Sequence, residues 1–245
     1  MAAPDSTPRP PDDFSDFLKT DAPVLLVGGQ AVNLWALYYN EVTLHLAPFV
    51  SRDIDVLGQR ETLRSIAELA GLKPNYFPLK PPSNEVGYIM PRDASNSPMI
   101  IEVLRWVNGV SEDELEADSV IFKIGKGKVP VKVPSPVTLL KAKLANLDGI
   151  KQQGRQDAKH VRILSKLLPS YLRDIAETVR SGKRTERDFV NILERLLTLV
   201  RGEVGERIFA NLNLPAVDLF KDLPEDGLPK VVAFKKHQLS RRLSG

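Results

Sequence analysis

The stretch "SRDIDVLG" at residues 51–58 carries two carboxylates inside what is otherwise the pattern of a buried strand. Side chains alternate between the two faces of a strand, so Asp53 and Asp55 point one way and Ile54 points the other. The rise per residue of a strand separates the two carboxylates by about 7 Å. Like charges on one partly buried face repel each other unless a cation lies between them. Because oxygen ligands of this kind suit Mg²⁺, the stretch predicts a magnesium site.

A third carboxylate strengthens this prediction. Glu102 lies within "MIIEVL", which is otherwise apolar, and an isolated glutamate there is costly to bury unless it is paired or binds a metal. If its strand lies beside Asp53 and Asp55, three carboxylates meet, as two-metal phosphoryl or nucleotidyl transfer requires. Plainer interpretations stay open, since D-x-D is also common on exposed strands and Glu102 could pair with Arg105 or with a neighbouring lysine.

The segment "VLLVGGQAVNLWA" precedes the carboxylate pair and predicts a phosphate-binding turn. Glycines between a strand and a helix let the backbone approach a ligand closely, and the helix start offers free N–H groups. We therefore expect Gly28 and Gly29 to bind phosphate, with Gln30 and Asn33 nearby at the helix start. The segment is neither a Walker A loop nor a Rossmann fingerprint, and an ordinary tight turn is the alternative.

Periodicity predicts an α+β fold: a mixed β-sheet core with flanking helices, followed by an all-α C-terminal helical bundle. The predicted strands lie in 22–29, 51–58, 84–90, 98–107, 119–125 and 128–134, of which the last four form two hairpins. The predicted helices are 30–39, 60–72, 135–147, 155–167, 169–181, 186–201 and 203–211. Ser135 and Pro136 have the residue types of an N-cap and a first helical position.

Three regions follow from this pattern. Residues 1–12 are rich in Pro and Asp, and we expect them to be disordered. Residues 13–134 form the α/β core, and residues 135–245 form the helical domain. The last eleven residues, "KKHQLSRRLSG", carry four basic residues and no acid, which predicts a frayed, solvated tail. A contact of this tail with a polyanion such as RNA is the alternative.

Composition excludes several classes of protein. The 245 residues contain no cysteine, which rules out disulfides and thiolate metal sites, and the three histidines are too scattered to favour zinc. No apolar run has the length of a membrane span, and the N-terminus lacks the pattern of a signal peptide, so we expect a cytoplasmic protein without membrane contact. The net charge of +3 is too small to indicate nucleic-acid binding by itself.

Together, "VGGQAVNLWA" and "RDIDVL" resemble the hG[GS]…[DE]h[DE]h signature of the polymerase-β-like nucleotidyltransferase superfamily. Glu102 falls where that superfamily keeps its third carboxylate. The chain is most similar to the bacterial toxin nucleotidyltransferases of the AbiEii and MenT type. Those have a lysine on the helix after the sheet and then an R-x-K-D-x-x-D-like segment. Here "GRQDAKHVRIL" matches that segment in part, with Gln156 in place of lysine and His160 in place of the second aspartate.

The resemblance implies a nucleotidyltransferase core and a role for each site residue. Asp53, Asp55 and Glu102 would hold two Mg²⁺ ions, and Glu102 could instead take the proton from the attacking hydroxyl. Lys143 would neutralise the triphosphate of a bound NTP.

The remaining residues would support nucleotide binding. Lys141 is the alternative to Lys143, since residues two apart cannot share one helix face. Asp157 would accept a hydrogen bond from Lys143, the base or the ribose, and Arg52 would contact phosphate. Surface roles for Asp157 and Arg52 are equally open.

The implied activity is transfer of an NMP from ATP or another NTP to a hydroxyl of an RNA, such as a tRNA, or of a protein. The resemblance also implies the toxin of a toxin–antitoxin system, with an antitoxin-like protein as partner. A catalytically inactive module that binds a protein or nucleic acid is the alternative, motivated by the departures at Gln156 and His160. Kinase-like transfer of the γ-phosphoryl group is a third possibility.

Overall fold

A computed structural model describes residues 7–78, 80, 83–93 and 95–243, with side chains up to Arg242. Its strands are β1 (Leu25–Val27), β2 (Asp53–Leu57), β3 (Asn75–Tyr76), β4 (Glu85–Ile89), β5 (Ile100–Leu104), β6 (Val120–Ile124) and β7 (Val129–Val133). Its α-helices are α1 (Gly28–Tyr38), α2 (Asn40–Thr43), α3 (Arg60–Leu69), α4 (Glu112–Ala117), α5 (Pro136–Gly149), α6 (Asp157–Arg180), α7 (Glu186–Arg201), α8 (Glu203–Asn211), α9 (Pro229–Phe234) and α10 (Ser240–Leu243). Short 3₁₀ helices span Pro11–Phe17, Leu44–Leu46 and Ala216–Leu219, and a π-helix spans Lys235–Leu239.

The seven strands form one mixed sheet in the order β3-β4-β5-β2-β1-β7-β6. The two predicted hairpins, β4–β5 and β6–β7, are antiparallel. The central strand β2 pairs antiparallel with β1 and parallel with β5. The predicted α+β fold class, a mixed sheet followed by helices, is confirmed. Because β2 lies between β1 and β5, the sheet brings the glycine turn and all three carboxylates to its centre.

One apolar cluster runs through the sheet and the C-terminal helices. Leu26 and Val131 of the sheet and Leu164 and Leu196 of the helices are among its buried members. Buried apolar contacts continue from residues 13–134 into residues 135–245. The C-terminal helices therefore cover one face of the sheet and share a core with it. Helix α5 begins as predicted, with the Ser135 hydroxyl accepting from the Thr138 N–H and Pro136 in the first turn.

The two helices predicted at 155–167 and 169–181 are one helix, α6, with Pro169 inside it. Proline removes a helical hydrogen bond, and for that reason the sequence pattern predicts a break. Leu168 and Leu172, on either side of Pro169, are both buried in the apolar cluster. The packing of apolar side chains on both sides of Pro169 therefore outweighs the loss of the helical hydrogen bond that the proline removes.

The two ends of the described chain are also more ordered than predicted. Residues 1–6 lie outside the described residues, but Arg9 forms an antiparallel β-bridge with Ser51, and Pro11 begins a 3₁₀ helix. The prediction of disorder is therefore wrong for residues 7–12. The tail that was predicted to be frayed is helical up to Leu243. Its side chain Leu239 is buried in the apolar cluster, which holds the tail against the helical bundle. None of the helices in the described ranges is long and apolar enough to cross a membrane.

Candidate metal and nucleotide site

The predicted carboxylate cluster forms at the middle of the sheet. Asp55 of β2 lies directly beside Glu102 of β5, and Asp53 lies on the same face two residues earlier. Each residue contributes an oxygen within 4.8 Å of the other two, and all three side chains are half-buried. In the part of the chain that the structure describes, no other group of three acidic or metal-binding side chains is so close.

Burial and mutual repulsion make this cluster electrostatically unfavourable. Burial, followed by the charges of Asp53 and Glu102, raises the pKa of Asp55 well above its usual value, although Lys143 opposes the shift. Burial, Asp53 and Glu85 raise the pKa of Glu102 to about 7. A cation between the carboxylates would remove both penalties. Three oxygen ligands without nitrogen or sulfur fit a hard cation such as Mg²⁺, so the residues present fit the predicted metal.

Strand β1 leads into α1 directly beside the cluster, and here glycine is required. Gly28 has a φ of +66°, and a Cβ at this position would lie 1.8 Å from the Asp55 Oδ2 atom. A Cβ on Gly29 would lie 3.2 Å from the His160 ring and 3.3 Å from the Ser51 hydroxyl. The two residues are the first of the helix rather than a separate turn. The free N–H groups of the helix start are thus next to the carboxylates.

A second cluster of charged groups is paired within itself. The Lys143 ammonium lies 2.9 Å from Asp157 Oδ1, and the Arg155 Nε lies 2.7 Å from Asp157 Oδ2. Asn146 also donates to Asp157, at 3.3 Å. Burial opposes ionisation, yet Lys143 and Arg155 hold the pKa of Asp157 at about 2. The predicted hydrogen bond from Lys143 to Asp157 is confirmed.

His160 lies in the same region, beside Gly29. The side chain is 5% exposed, and neither ring nitrogen has a hydrogen-bond partner among the described residues. Burial, with a contribution from Lys143, lowers the pKa of His160 to about 3, so the imidazole is neutral. The His160 ring therefore adds no charge beside the Lys143–Asp157 pair.

One cavity of about 570 Å³ joins these groups. Its lining includes most of the predicted site residues, namely Gly28, Gly29, Arg52, Asp53, Asp55, Glu102, Lys143 and Asp157. On one side it is apolar, with Leu104, Val107 and Leu115. A cavity with carboxylates, a helix start, a lysine and an apolar wall has the chemical groups that a nucleoside triphosphate and its metal ions need.

Three predicted site residues do not line this cavity. Lys141 lies on another side of α5 and pairs with Glu114 at 2.6 Å, because residues two apart on a helix point in different directions. Gln30 and Asn33 are buried, and Asn33 donates to Gln30, whose own amide donates to the Arg9 carbonyl. Their polar groups are thus satisfied inside the protein.

The alternative partner for Glu102 is not observed. Arg105 donates to the backbone carbonyls of Ser83 and Glu85 instead. Two further cavity residues make polar contacts to the site and were not predicted from the sequence, namely Ser51 and Asn146. Ser51 was recognisable, because it is two residues before Asp53 and therefore shares its face of the strand.

No protein-family model matches this chain, and no curated protein matches it. Among solved structures, it is similar to the crystal structure of an antigenic nucleotidyltransferase-like protein from Paracoccidioides brasiliensis. The two sequences are 13% identical, the match covers 91% of this chain and 100% of that chain, and the TM-score is 0.46.

Proposed function

We propose that the protein is a Mg²⁺-dependent nucleotidyltransferase that moves an NMP from an NTP to a hydroxyl group. One observation carries this proposal: the oxygens of Asp53, Asp55 and Glu102 lie within 4.8 Å of one another in a cavity shared with a glycine-started helix and Lys143. Such a cluster is unfavourable without a cation and is suited to two-metal chemistry on phosphate.

In the proposed reaction the acceptor hydroxyl oxygen forms a bond to the α-phosphorus, and the bond between the α-phosphorus and the bridging oxygen breaks. Pyrophosphate leaves, and the hydroxyl proton passes to a base, for which Glu102 is the candidate. Asp53 and Asp55 would hold Mg²⁺, and Glu102 would complete a second metal position in the alternative in which it is not the base. Bound there, the metal supplies charge neutralisation for the triphosphate and the attacking oxygen.

The other cavity residues bind the substrate. The first N–H groups of α1, at Gly28 and Gly29, donate to phosphate oxygens. Lys143 adds positive charge, and Asp157 keeps its ammonium in place at 2.9 Å. Arg52 is exposed at the cavity edge, where it contacts phosphate or the acceptor. The apolar wall formed by Leu104, Val107 and Leu115 packs against the base or ribose.

Transfer of label tests the proposal. The protein is incubated with Mg²⁺, total RNA or total cell protein, and each of the four NTPs, ATP included, labelled at the α- or the γ-phosphate. We expect α-label in RNA or protein, and a loss of at least about 1,000-fold in Asp53→Asn and Asp55→Asn, equal to about 4 kcal/mol of transition-state stabilisation.

The control is Glu68→Gln, which changes an exposed carboxylate of α3 away from the cavity and should retain activity. Transfer of γ-label would indicate a kinase-like reaction. Label transfer that persists in Asp53→Asn and Asp55→Asn would contradict the assignment. If calorimetry detects no NTP affinity at millimolar Mg²⁺, the inactive binding module is the better description.

For the acceptor we propose an RNA such as a tRNA, with a protein hydroxyl as the other candidate, and we propose that the reaction is that of a toxin. The support is the sequence resemblance and the carboxylate, glycine and lysine groups that line the cavity. Expression should then arrest growth, whereas expression of Asp55→Asn should not, and an antitoxin-like partner should restore growth. Equal growth of both strains would contradict the toxin role without affecting the proposed chemistry.

A further inference from the structure

An N-terminal segment, residues 8–10, packs against the carboxylate site. The Arg9 N–H donates to the Ser51 carbonyl at 2.8 Å, and the Ser51 N–H donates to the Arg9 carbonyl at 3.0 Å. Pro8 lines the cavity itself. Ser51 leads into β2 and is therefore held by two backbone hydrogen bonds. Their partner, Arg9, lies more than forty residues earlier in the chain.

Arg9 is fixed by other elements as well. Its guanidinium pairs with Asp93 at 2.5 Å and is only 11% exposed. Its carbonyl accepts a second hydrogen bond, at 2.9 Å, from the fully buried Gln30 of α1. Asn33 completes this arrangement by donating to Gln30 at 3.0 Å. The buried amides that the sequence suggested for nucleotide binding thus hold the Arg9 backbone.

Ser51 connects this segment with the proposed metal ligand. Its hydroxyl donates to Asp53 Oδ1 at 2.8 Å, and the side chain is 8% exposed. The Oδ1 atom of Asp53 accepts this bond, and among the described residues no other side chain donates a hydrogen bond to its carboxylate. Hydrogen bonds to a ligating carboxylate fix its orientation and influence metal affinity. A hydroxyl that donates to a carboxylate makes a strong, directional bond of this kind.

We propose that the backbone of Arg9 is a positioning element of the site, which acts through Ser51 to orient Asp53 toward the bound cation. The inference rests on the proposed metal-dependent function. Without the bridge, the N–H and carbonyl of Ser51 lose their partners, the start of β2 frays, and the hydroxyl is no longer directed at Asp53. Residues 8–10 are then part of the site, although they touch no reacting atom.

Direct measurement of Mn²⁺ or Mg²⁺ affinity in the full chain, by calorimetry, tests this inference. Ser51→Ala should weaken metal affinity about 10- to 100-fold. Arg9→Pro, which removes the N–H that bonds Ser51, should weaken it to a similar degree. The metal affinity of the double variant should be no lower than that of the single variant with the lower affinity. The reason is that both changes remove the same orientation of Asp53.

Matched variants separate positioning from folding. Thr7→Pro introduces the same residue where the structure shows no hydrogen bond, and Arg9→Ala removes the Asp93 ion pair but keeps the N–H. Both should stay within about threefold of the wild-type affinity. Ser51→Thr keeps the hydroxyl and should restore most of the affinity that Ser51→Ala loses.

The outcomes distinguish this inference from the proposed function. Unchanged metal affinity in Ser51→Ala and Arg9→Pro, with only a lower melting temperature, would overturn the positioning role, and so would additive losses in the double variant. A wild-type protein without metal affinity would overturn it too. Affinity losses as expected, in a protein that transfers no nucleotide, would support the positioning role and contradict the transferase.

Discussion

Two groups of charged side chains line the same cavity and differ in how their charges are compensated. In the carboxylate cluster, Asp53, Asp55 and Glu102 repel one another, and the pKa of Glu102 rises to about 7. In the paired cluster, Lys143 and Arg155 flank Asp157, and its pKa falls to about 2. The neighbouring charges therefore shift the carboxyl pKa values of the two clusters in opposite directions. The charges of the first cluster are only partly compensated within the protein, by Lys143, whereas those of the second are paired with one another.

The largest effect on stability should come from breaking the paired cluster. Asp157→Asn removes the carboxylate that pairs directly with the buried Lys143 ammonium, which should lower the free energy of unfolding by about 3 kcal/mol or more. Urea unfolding at pH 7 measures this change. Asp148→Asn is the control, since Asp148 pairs with Arg207 at the exposed end of α5 and should contribute less than about 1 kcal/mol. Equal losses in both variants would contradict the distinction between the clusters.

The pH dependence of stability should follow the same pair. Because the pKa of Asp157 is lowered from about 3.9 in the unfolded chain to about 2 in the folded one, its contribution is present above about pH 4. It is lost as the pH falls from 4 toward 2, and its size is about 2 to 3 kcal/mol. The stability difference between wild type and Asp157→Asn should therefore shrink over that window. A constant difference from pH 6 to pH 3 would show that the carboxylate charge is not its source.

The carboxylate cluster should respond in the opposite direction to the same kind of substitution. Asp55→Asn removes one of three repelling charges, so in EDTA at pH 8 it should raise the free energy of unfolding by about 1 kcal/mol. Mg²⁺ should raise the melting temperature of the wild type and have a much smaller effect on the variant. Destabilisation of the metal-free protein by Asp55→Asn would mean that Lys143 already compensates the cluster.

The smallest effect should come from Lys141, which pairs with Glu114 at the protein surface. Both side chains are more than one third exposed, so Lys141→Ala should cost less than about 1 kcal/mol and leave nucleotide transfer unchanged. Lys143→Ala, two residues away on the same helix, should lower transfer and stability together. Denaturation and transfer assays on both variants measure the contrast. A large loss of nucleotide transfer in Lys141→Ala would indicate that the triphosphate binds beside Lys141 rather than beside Lys143.

Local patterns predicted the parts of this site that depend on neighbouring residues in the chain. Alternation along β2 placed Asp53 and Asp55 on one face, and the apolar surroundings of Glu102 marked it as a third member of the cluster. Their convergence needed only that β2 and β5 be neighbours. The close contact between Gly28 and Asp55 explains why a glycine signature accompanies the carboxylates, because a Cβ at Gly28 would overlap the carboxylate.

Other features depend on contacts between distant segments, which no local pattern contains. The orientation of α5 decides that Lys143 rather than Lys141 faces the cavity. Gln30 was predicted to lie beside the bound phosphate, but it is buried and its amide donates to the Arg9 carbonyl, so that it supports the N-terminal segment instead. Helix α6 continues through Pro169 because apolar side chains on both sides of it are packed in the core.

By itself, the sequence determined six of the seven strands of the described chain, the positions of the helices of nine residues or more, the carboxylate trio and the glycine pair, since each follows from residue type and spacing within a few positions. Only the tertiary structure decided which helix faces meet the cavity, which buried polar groups are already paired, and that residues 7–12 are ordered. The physical reason is that these outcomes depend on hydrogen bonds and packing between segments far apart in the chain. Their energies become known only when the partners have been brought together.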